Sequence, residues 1–313
     1  MTATLVCVGL SKSYGDLAAV QDVGLRIEPG ESYGLLGPNG AGKSTTISML
    51  VGLLRPDSGK VLIDGKDFAA DPIAAKKKIG YVPQEIALYP DLTARENLRY
   101  FGRLYGLPRK ALAGRIGEVL DLVGLTDRAD DKVSTYSGGM KRRINIGAAL
   151  LHRPAVLFLD EPTVGVDPQS RMAILDGVER LVADGMSLLY TSHYIEEVQR
   201  LCKRVGIIDH GKLIAEGTPK ELVSRIGGAD RVELTLDTDD IETALTLLLD
   251  VEGVTEGAQT GDGEVRLIVD GGRNLLPALL AAVHDVAGVT AVQIAEPDLE
   301  AAFLFLTGST LRD

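Results

Sequence analysis

Residues 37–44 read Gly37-Pro38-Asn39-Gly40-Ala41-Gly42-Lys43-Ser44, with Thr45 next. The run fits GxxxxGK[ST], and its flanks fit the same motif: an apolar stretch, Ser32–Leu36, comes before it and a helix-like stretch, Ser44 to Leu54, follows. Glycines let the backbone wrap tightly with successive N–H groups pointing inward, a nest for phosphate oxygens. The helix that follows adds the positive end of its dipole. In such a cradle Lys43 reaches the β- and γ-phosphates of a nucleotide, the Ser44 hydroxyl sits on Mg²⁺ and Thr45 touches the α-phosphate. Strand, phosphate loop and helix in this order predict an α/β domain of the P-loop NTPase kind.

A second signal stands further along the chain. Val156-Leu157-Phe158-Leu159-Asp160-Glu161 is an apolar strand that ends in two carboxylates. Alone, that is also how a strand with a solvated acidic end looks. Beside a phosphate loop, Asp160 reads as the residue that holds Mg²⁺ through water, and Glu161 as the general base that orients the attacking water. Kinases, GTPases, helicases and transport ATPases share these two features. No NKxD-type sequence is present, which favours ATP over GTP.

Other motifs narrow the class. Tyr136-Ser137-Gly138-Gly139-Met140 precedes the acidic strand and is followed by Lys141-Arg142-Arg143. Tyr14 precedes the phosphate loop, and Gln84 closes Tyr81-Val82-Pro83-Gln84. Pro162-Thr163-Val164-Gly165-Val166-Asp167-Pro168 and Thr191-Ser192-His193 complete the series. In this order the motifs resemble the ABC ATPases over about residues 4 to 222, with 136–140 matching the LSGGQ signature, Gln84 the Q-loop, 162–168 the D-loop and His193 the switch histidine. The resemblance implies two such domains packed head to tail, so the partner of this chain is a second copy of itself. ATP held by the phosphate loop of one copy would be capped by Ser137, Gly138 and Gly139 of the other. It further implies that Tyr14 stacks on adenine, that Gln84 contacts metal or water and reports occupancy, and that Lys43, Mg²⁺ and His193 stabilise the transferring phosphoryl group. Met140 stands where the family has Gln. Lys141–Arg143 read as solvated helix charge, with binding to a partner or to phosphate as the alternative.

Working outward, strands are expected at Leu5–Val8, Val23–Ile27, Lys60–Ile63, Ile79–Val82, Ala155–Leu159 and Ser187–Tyr190. A helical region is expected from about Pro90 to Thr135, where Leu92, Leu98, Phe101, Leu104 and Leu107 recur three or four apart. Continuous apolar strands imply a parallel sheet covered on both faces. The tail predicts a strand at Arg231–Asp237, a helix at Ile241–Leu249, strands at Val251–Val254 and Glu264–Val269, a helix from Asn274 to Val286 and a strand at Val289–Ile294. A last helix, Asp298–Leu306, has Asp298 as its N-cap. This β-α-β-β-α-β order is that of a small ferredoxin-like α+β unit. Charge changes at the same place. Residues 228–313 hold 4 basic and 17 acidic side chains, whereas the preceding part is nearly balanced. The step beside Gly227–Gly228 predicts two domains, an ATPase domain at 1–225 with a helical subdomain and an accessory domain at 226–313.

The whole chain has 313 residues and a net charge of −11, with 45% hydrophobic and 25% charged residues, which excludes a disordered or disulfide-stapled chain. Its two cysteines, Cys7 and Cys202, form no metal-ligand cluster and suit a reducing, cytoplasmic compartment. No stretch reads as a membrane span; the longest apolar one, around Leu275 to Val283, is broken by Pro277. The opening lacks the basic start and long apolar run of a secretory leader. The stretch Glu216-Gly217-Thr218-Pro219 and the ending 297–308 resemble the drug- and sodium-export branch of ABC ATPases. That resemblance implies a peripheral subunit on the cytosolic membrane face, paired with an ABC-2-type integral membrane permease that docks on roughly Glu85 to Leu107. The alternatives fit less well. A soluble ABC ATPase acting on ribosomes or DNA calls for a second cassette, an insertion or a basic surface, so no nucleic acid partner is expected. A P-loop kinase leaves 136–140 and His193 unexplained.

Overall fold

The computed structural model describes residues 3–225, 230–238, 240–269, 272–295 and 298–307. The chain divides into two compact units between Thr218 and Pro219. The expected junction at Gly227–Gly228 lies outside the described residues.

The first unit runs β1 (Leu5–Tyr14), β2 (Leu17–Ile27), β3 (Ser32–Leu36), α1 (Lys43–Leu50), β4 (Ser58–Ile63), β5 (Lys66–Asp67), α2 (Pro72–Lys76), β6 (Ile79–Val82), α3 (Ala94–Leu104), α4 (Arg109–Leu122), α5 (Gly138–Leu150), β7 (Val156–Asp160), α6 (Pro168–Ala183), β8 (Ser187–Thr191), α7 (Ile195–Leu201), β9 (Arg204–Asp209) and β10 (Lys212–Gly217). Its central sheet has the order β10-β9-β3-β8-β7-β6, parallel except for the edge strand β10. Strands β3, β7 and β8 are buried along their whole length, as their unbroken apolar runs predict. A second, antiparallel sheet, β2-β1-β4-β5, closes a core in which Leu5, Val23 and Ile27 share a cluster with Tyr33, Ile47 and Phe158. The helical layer has its own core, built from Leu98, Leu112, Ile116, Val119 and Ile144. Both cysteines are buried and unpaired, and burial pushes the Cys7 thiol up to about 12.

The stretch from Pro90 to Thr135 is not one helical run. Thr93 starts α3 with a capping box to Glu96, α3 ends at Leu104, α4 follows, and two short 3₁₀ turns occupy Thr126–Arg128 and Val133–Thr135. The helix after the phosphate loop begins at Lys43 and stops at Leu50, four residues before the expected end. Sequence reading passed over β9 and β10.

The second unit holds α8 (Pro219–Ser224), β11 (Asp230–Asp237), α9 (Ile241–Leu249), β12 (Val254–Gly261), β13 (Glu264–Val269), α10 (Gly272–Val283), β14 (Gly288–Ala295) and α11 (Leu299–Thr307). Its sheet order, β12-β13-β11-β14, all antiparallel, is that of the split β-α-β motif, as the element order predicts. Val232, Leu234, Val265 and Leu267 meet Ala244, Leu248, Leu279 and Val283 in its core. Asp298 caps α11, its Oδ1 accepting from the Ala301 N–H at 2.8 Å. The strand expected at Val251–Val254 is misplaced: β12 starts at Val254 and runs to Gly261. It is an edge strand with mostly exposed side chains, so it carries no apolar alternation to read. Helix α10 starts two residues before Asn274 and ends at Val283 rather than Val286.

Candidate active site

The phosphate loop leaves the buried β3 at Leu36 and enters α1 at Lys43. Gly42 sits there with φ +104°, and a Cβ on it would lie 2.5 Å from the Ala19 carbonyl oxygen, so the turn admits only glycine. No side chain caps the start of α1, which leaves its first N–H groups for an anion. Lys43 is buried, and its Nζ donates to the carbonyls of Gly37 at 2.5 Å and Pro38 at 3.0 Å. Burial pushes its pKa down, and the charges of Glu161 and Asp160 pull it back up. Ser44 is exposed and Thr45 half-buried at the same helix start. Tyr14 is exposed at the tight β1–β2 turn, opposite Leu17, with the Lys12 ammonium 5.9 Å from its ring. The strand it leads into carries Ala19 to Gly42.

The acidic pair stands at the end of β7. Parallel register sets Asp160 opposite Thr191 of β8. The Thr191 hydroxyl donates to Asp160 Oδ1 at 2.8 Å and accepts from the Glu161 N–H at 3.0 Å. Asp160 is 6% exposed, and burial raises its pKa. Glu161 holds a left-handed backbone, φ +47°, a conformation that costs a non-glycine residue about 1–3 kcal/mol and collects at working sites. Its Oε2 lies 3.6 Å from His193 Nδ1. The sequence offered Thr191 only as the first letter of a motif; its role in tying the Asp160 carboxylate to the Glu161 backbone comes from strand pairing.

Gln84 follows β6 and is exposed. Its carbonyl accepts from Arg142 Nη2 at 2.6 Å, and that of Pro83 from Arg142 Nη1 at 2.8 Å. This corrects the reading of 141–143 as solvated charge. Arg142 is 3% exposed, and Arg143 Nη1 donates to the Val123 carbonyl at 2.9 Å. The reason is the place of α5, whose later turns are buried almost all round. Met140, where Gln was expected, packs against the helical-layer core.

The signature lies at the start of α5. Ser137 caps the helix, its hydroxyl accepting from the Met140 N–H at 3.2 Å. Ser137 and Gly138 are exposed. Gly139 is buried against α6, where an added Cβ would come within 2.1 Å of Ser170 Cβ. The nearest atom to a Cβ on Gly138 would be the Gly165 carbonyl oxygen, at 3.9 Å. The Tyr136 hydroxyl donates to the Arg128 carbonyl. Thus Gly37–Thr45, His193, Asp160–Glu161 and Gln84 range along the C-terminal edge of β3, β8, β7 and β6, where open α/β sheets bind ligands. Residues 137–139 instead border 165–170.

The donors at the edge are hard oxygens: the Asp160 carboxylate, the Ser44 hydroxyl and the Gln84 amide. Among the described residues no three His, Cys, Asp or Glu side chains gather into a metal cage. Such a set suits a divalent ion that keeps waters and arrives with phosphate ligands.

A protein-family model described as "ABC transporter" matches residues 20–164. The linearmycin resistance ATP-binding protein LnrL of Bacillus subtilis is 49% identical over 310 residues, covering 97% of this chain and 98% of the relative. A Nod factor export ATP-binding protein I of Cupriavidus metallidurans is 40% identical, with full coverage of both chains (100% and 100%). Among solved structures, the dimeric ATP-binding cassette MJ0796 in a post-hydrolysis state with ADP and Pi superposes with a TM-score of 0.62 at 28% identity, over 68% of this chain and 98% of that one.

Proposed function

The chain belongs to the family of ABC transporter ATP-binding proteins, and from that premise we propose that it is the ATP-hydrolysing subunit of an exporter, working as a head-to-tail homodimer on a separate ABC-2-type membrane permease. Its similarity to relatives named for drug resistance and Nod factor export, along nearly the whole chain, supports a drug-like or lipid-like cargo that passes through the permease. No helix among the described residues is long and apolar enough to cross a membrane, so attachment at the cytosolic membrane face falls to the partner. The exposed Tyr89, Tyr100 and Leu104 within 85–107 offer the permease an apolar contact.

The site suggests how each residue acts. Lys43 trades its bonds to the Gly37 and Pro38 carbonyls for β- and γ-phosphate oxygens. Ser44, Asp160 and Gln84 would hold Mg²⁺. Bound there with the nucleotide, the ion would supply charge neutralisation at the phosphates. Glu161 takes a proton from the attacking water, and His193, 3.6 Å from Glu161, stands by the γ-phosphoryl group. Tyr14 stacks on adenine. Ser137, Gly138 and Gly139 of the second copy close the site with donors from a helix start.

One observation carries this reading: one chain holds both the catalytic edge and, apart from it, the exposed Ser137 and Gly138 that border residues 165–170. Glu161→Gln is expected to bind ATP and run as a dimer in size-exclusion chromatography with ATP and Mg²⁺, with turnover reduced by about 10²–10⁴-fold. Near-normal turnover overturns the base assignment. Ser137→Arg is expected to keep ATP binding by the monomer and lose dimer closure; full-rate hydrolysis by this variant overturns the shared site. Co-purification with a polytopic membrane protein tests the permease, and recovery with ribosomes or DNA instead contradicts it.

A further inference from the structure

A second polar cluster lies behind the catalytic edge and touches neither nucleotide nor metal in the mechanism above. Its centre is Glu197, 1% exposed at the start of α7. Its Oε2 accepts from the hydroxyls of Thr163 at 3.0 Å, Tyr190 at 2.8 Å and Ser192 at 2.6 Å. Its Oε1 accepts from Arg171 Nε at 2.6 Å. One buried carboxylate thus joins the loop after Glu161, the end of β8, the turn that carries His193 and the first turns of α6. Four donors, one of them cationic, replace water around this carboxylate.

The cluster also reaches the switch histidine. The Arg171 guanidinium lies 3.8 Å from the Tyr194 ring centroid, and the Tyr194 ring is 4.1 Å from that of His193. The Tyr194 N–H donates to Ser192 Oγ at 3.0 Å, so the turn is held from its backbone as well. At its other end, Arg171 belongs to the helix that Asp167 caps and that Gly139 packs against. We propose that Glu197 is a positioning residue of the ATPase reaction: through Arg171 and Tyr194 it fixes the His193 ring relative to the loop Thr163–Asp167, so that contact made at that loop is felt at the histidine. The inference rests on the assignment of His193 made above.

Tyr194→Leu separates this role from simple stability, because it leaves all four bonds to Glu197 in place and removes only the ring between Arg171 and His193. Misplacing a reacting group by about an ångström slows chemistry up to about 10²-fold, so kcat is expected to fall at least about 10-fold with KM for ATP within about twofold. Arg171→Ala is expected to do the same. The pair Arg171→Ala with Tyr194→Leu should lose no more than the worse single variant, since both cut one path. Glu197→Gln is expected to match them where it folds, as judged by its thermal transition. His193→Ala in the same assay is the reference. If it abolishes turnover while Tyr194→Leu and Arg171→Ala keep kcat within twofold, or if their losses multiply in the pair, the positioning role is wrong. If His193→Ala itself turns over normally, the site assignment fails instead.

Discussion

Asp160 is buried at the end of β7 with Thr191 as its hydroxyl donor, and the fold raises its pKa by withholding water. The sign follows from linkage: the native chain binds this proton more tightly than the unfolded chain does. Stability from this group is therefore lost as pH rises from the ordinary carboxylate range through the raised value. On the proposed function, a bound cation would remove that cost. Asp160→Asn is expected to raise the melting temperature without ligand by about 2–4 °C at pH 7, the shift that roughly 1 kcal/mol gives a domain of this size. The gain should vanish below the ordinary carboxylate pKa, and so should the extra stabilisation that Mg²⁺ adds to ATP in the parent chain. Scanning calorimetry across pH checks both, and a lower melting temperature for the variant at pH 7 contradicts the account. Lys43 shows the same trade: burial pushes its pKa down, and the charges of Glu161 and Asp160 pull it part of the way back.

Between elements, α5 and α6 pack closely at Gly139. Gly139→Ala puts a methyl group 2.1 Å from Ser170 Cβ, and a helix start has to move to admit it. The expected cost is about 1–3 kcal/mol, read as a lower melting temperature. Gly138→Ala has 3.9 Å of clearance, so its melting temperature should match the parent while ATP-driven dimer formation is impaired. Equal thermal loss in both variants contradicts this division between packing and contact. Arg142 makes the second joint, tying α5 to the backbone at Gln84. A helix that starts at residues 137–139 is thereby fastened to the loop that leads toward 85–107, the proposed permease surface.

At the scale of the molecule, the nucleotide residues all fall in the unit that ends at Thr218, and each unit encloses a core of its own. A site completed by two copies makes turnover depend on protein concentration by mass action. Turnover per chain is expected to fall on dilution below the dimer dissociation constant at saturating ATP and to return when the protein is concentrated again. Constant turnover per chain over about a 1,000-fold dilution, well past any dimer constant shown by light scattering, excludes the shared site. The acidity of the tail, with 4 basic against 17 acidic residues over 228–313, does not favour contact with polyanions.

The amino-acid sequence by itself determined the phosphate loop, the acidic strand end, the order of the cassette motifs and the β-α-β-β-α-β tail. Each is written in neighbouring residues, where spacing and hydrophobic period act locally. It misplaced β12 because an exposed edge strand needs no apolar alternation, and it read Arg142 as solvated because burial is set by what packs on a helix. Tertiary structure alone decided that Thr191 ties the Asp160 carboxylate to the Glu161 backbone, that Gly139 meets Ser170, and that Glu197 gathers Thr163, Tyr190, Ser192 and Arg171. Those partners lie on separate elements, as Arg142 and Gln84 do across 58 residues, and only strand register and helix packing bring such groups within hydrogen-bonding distance.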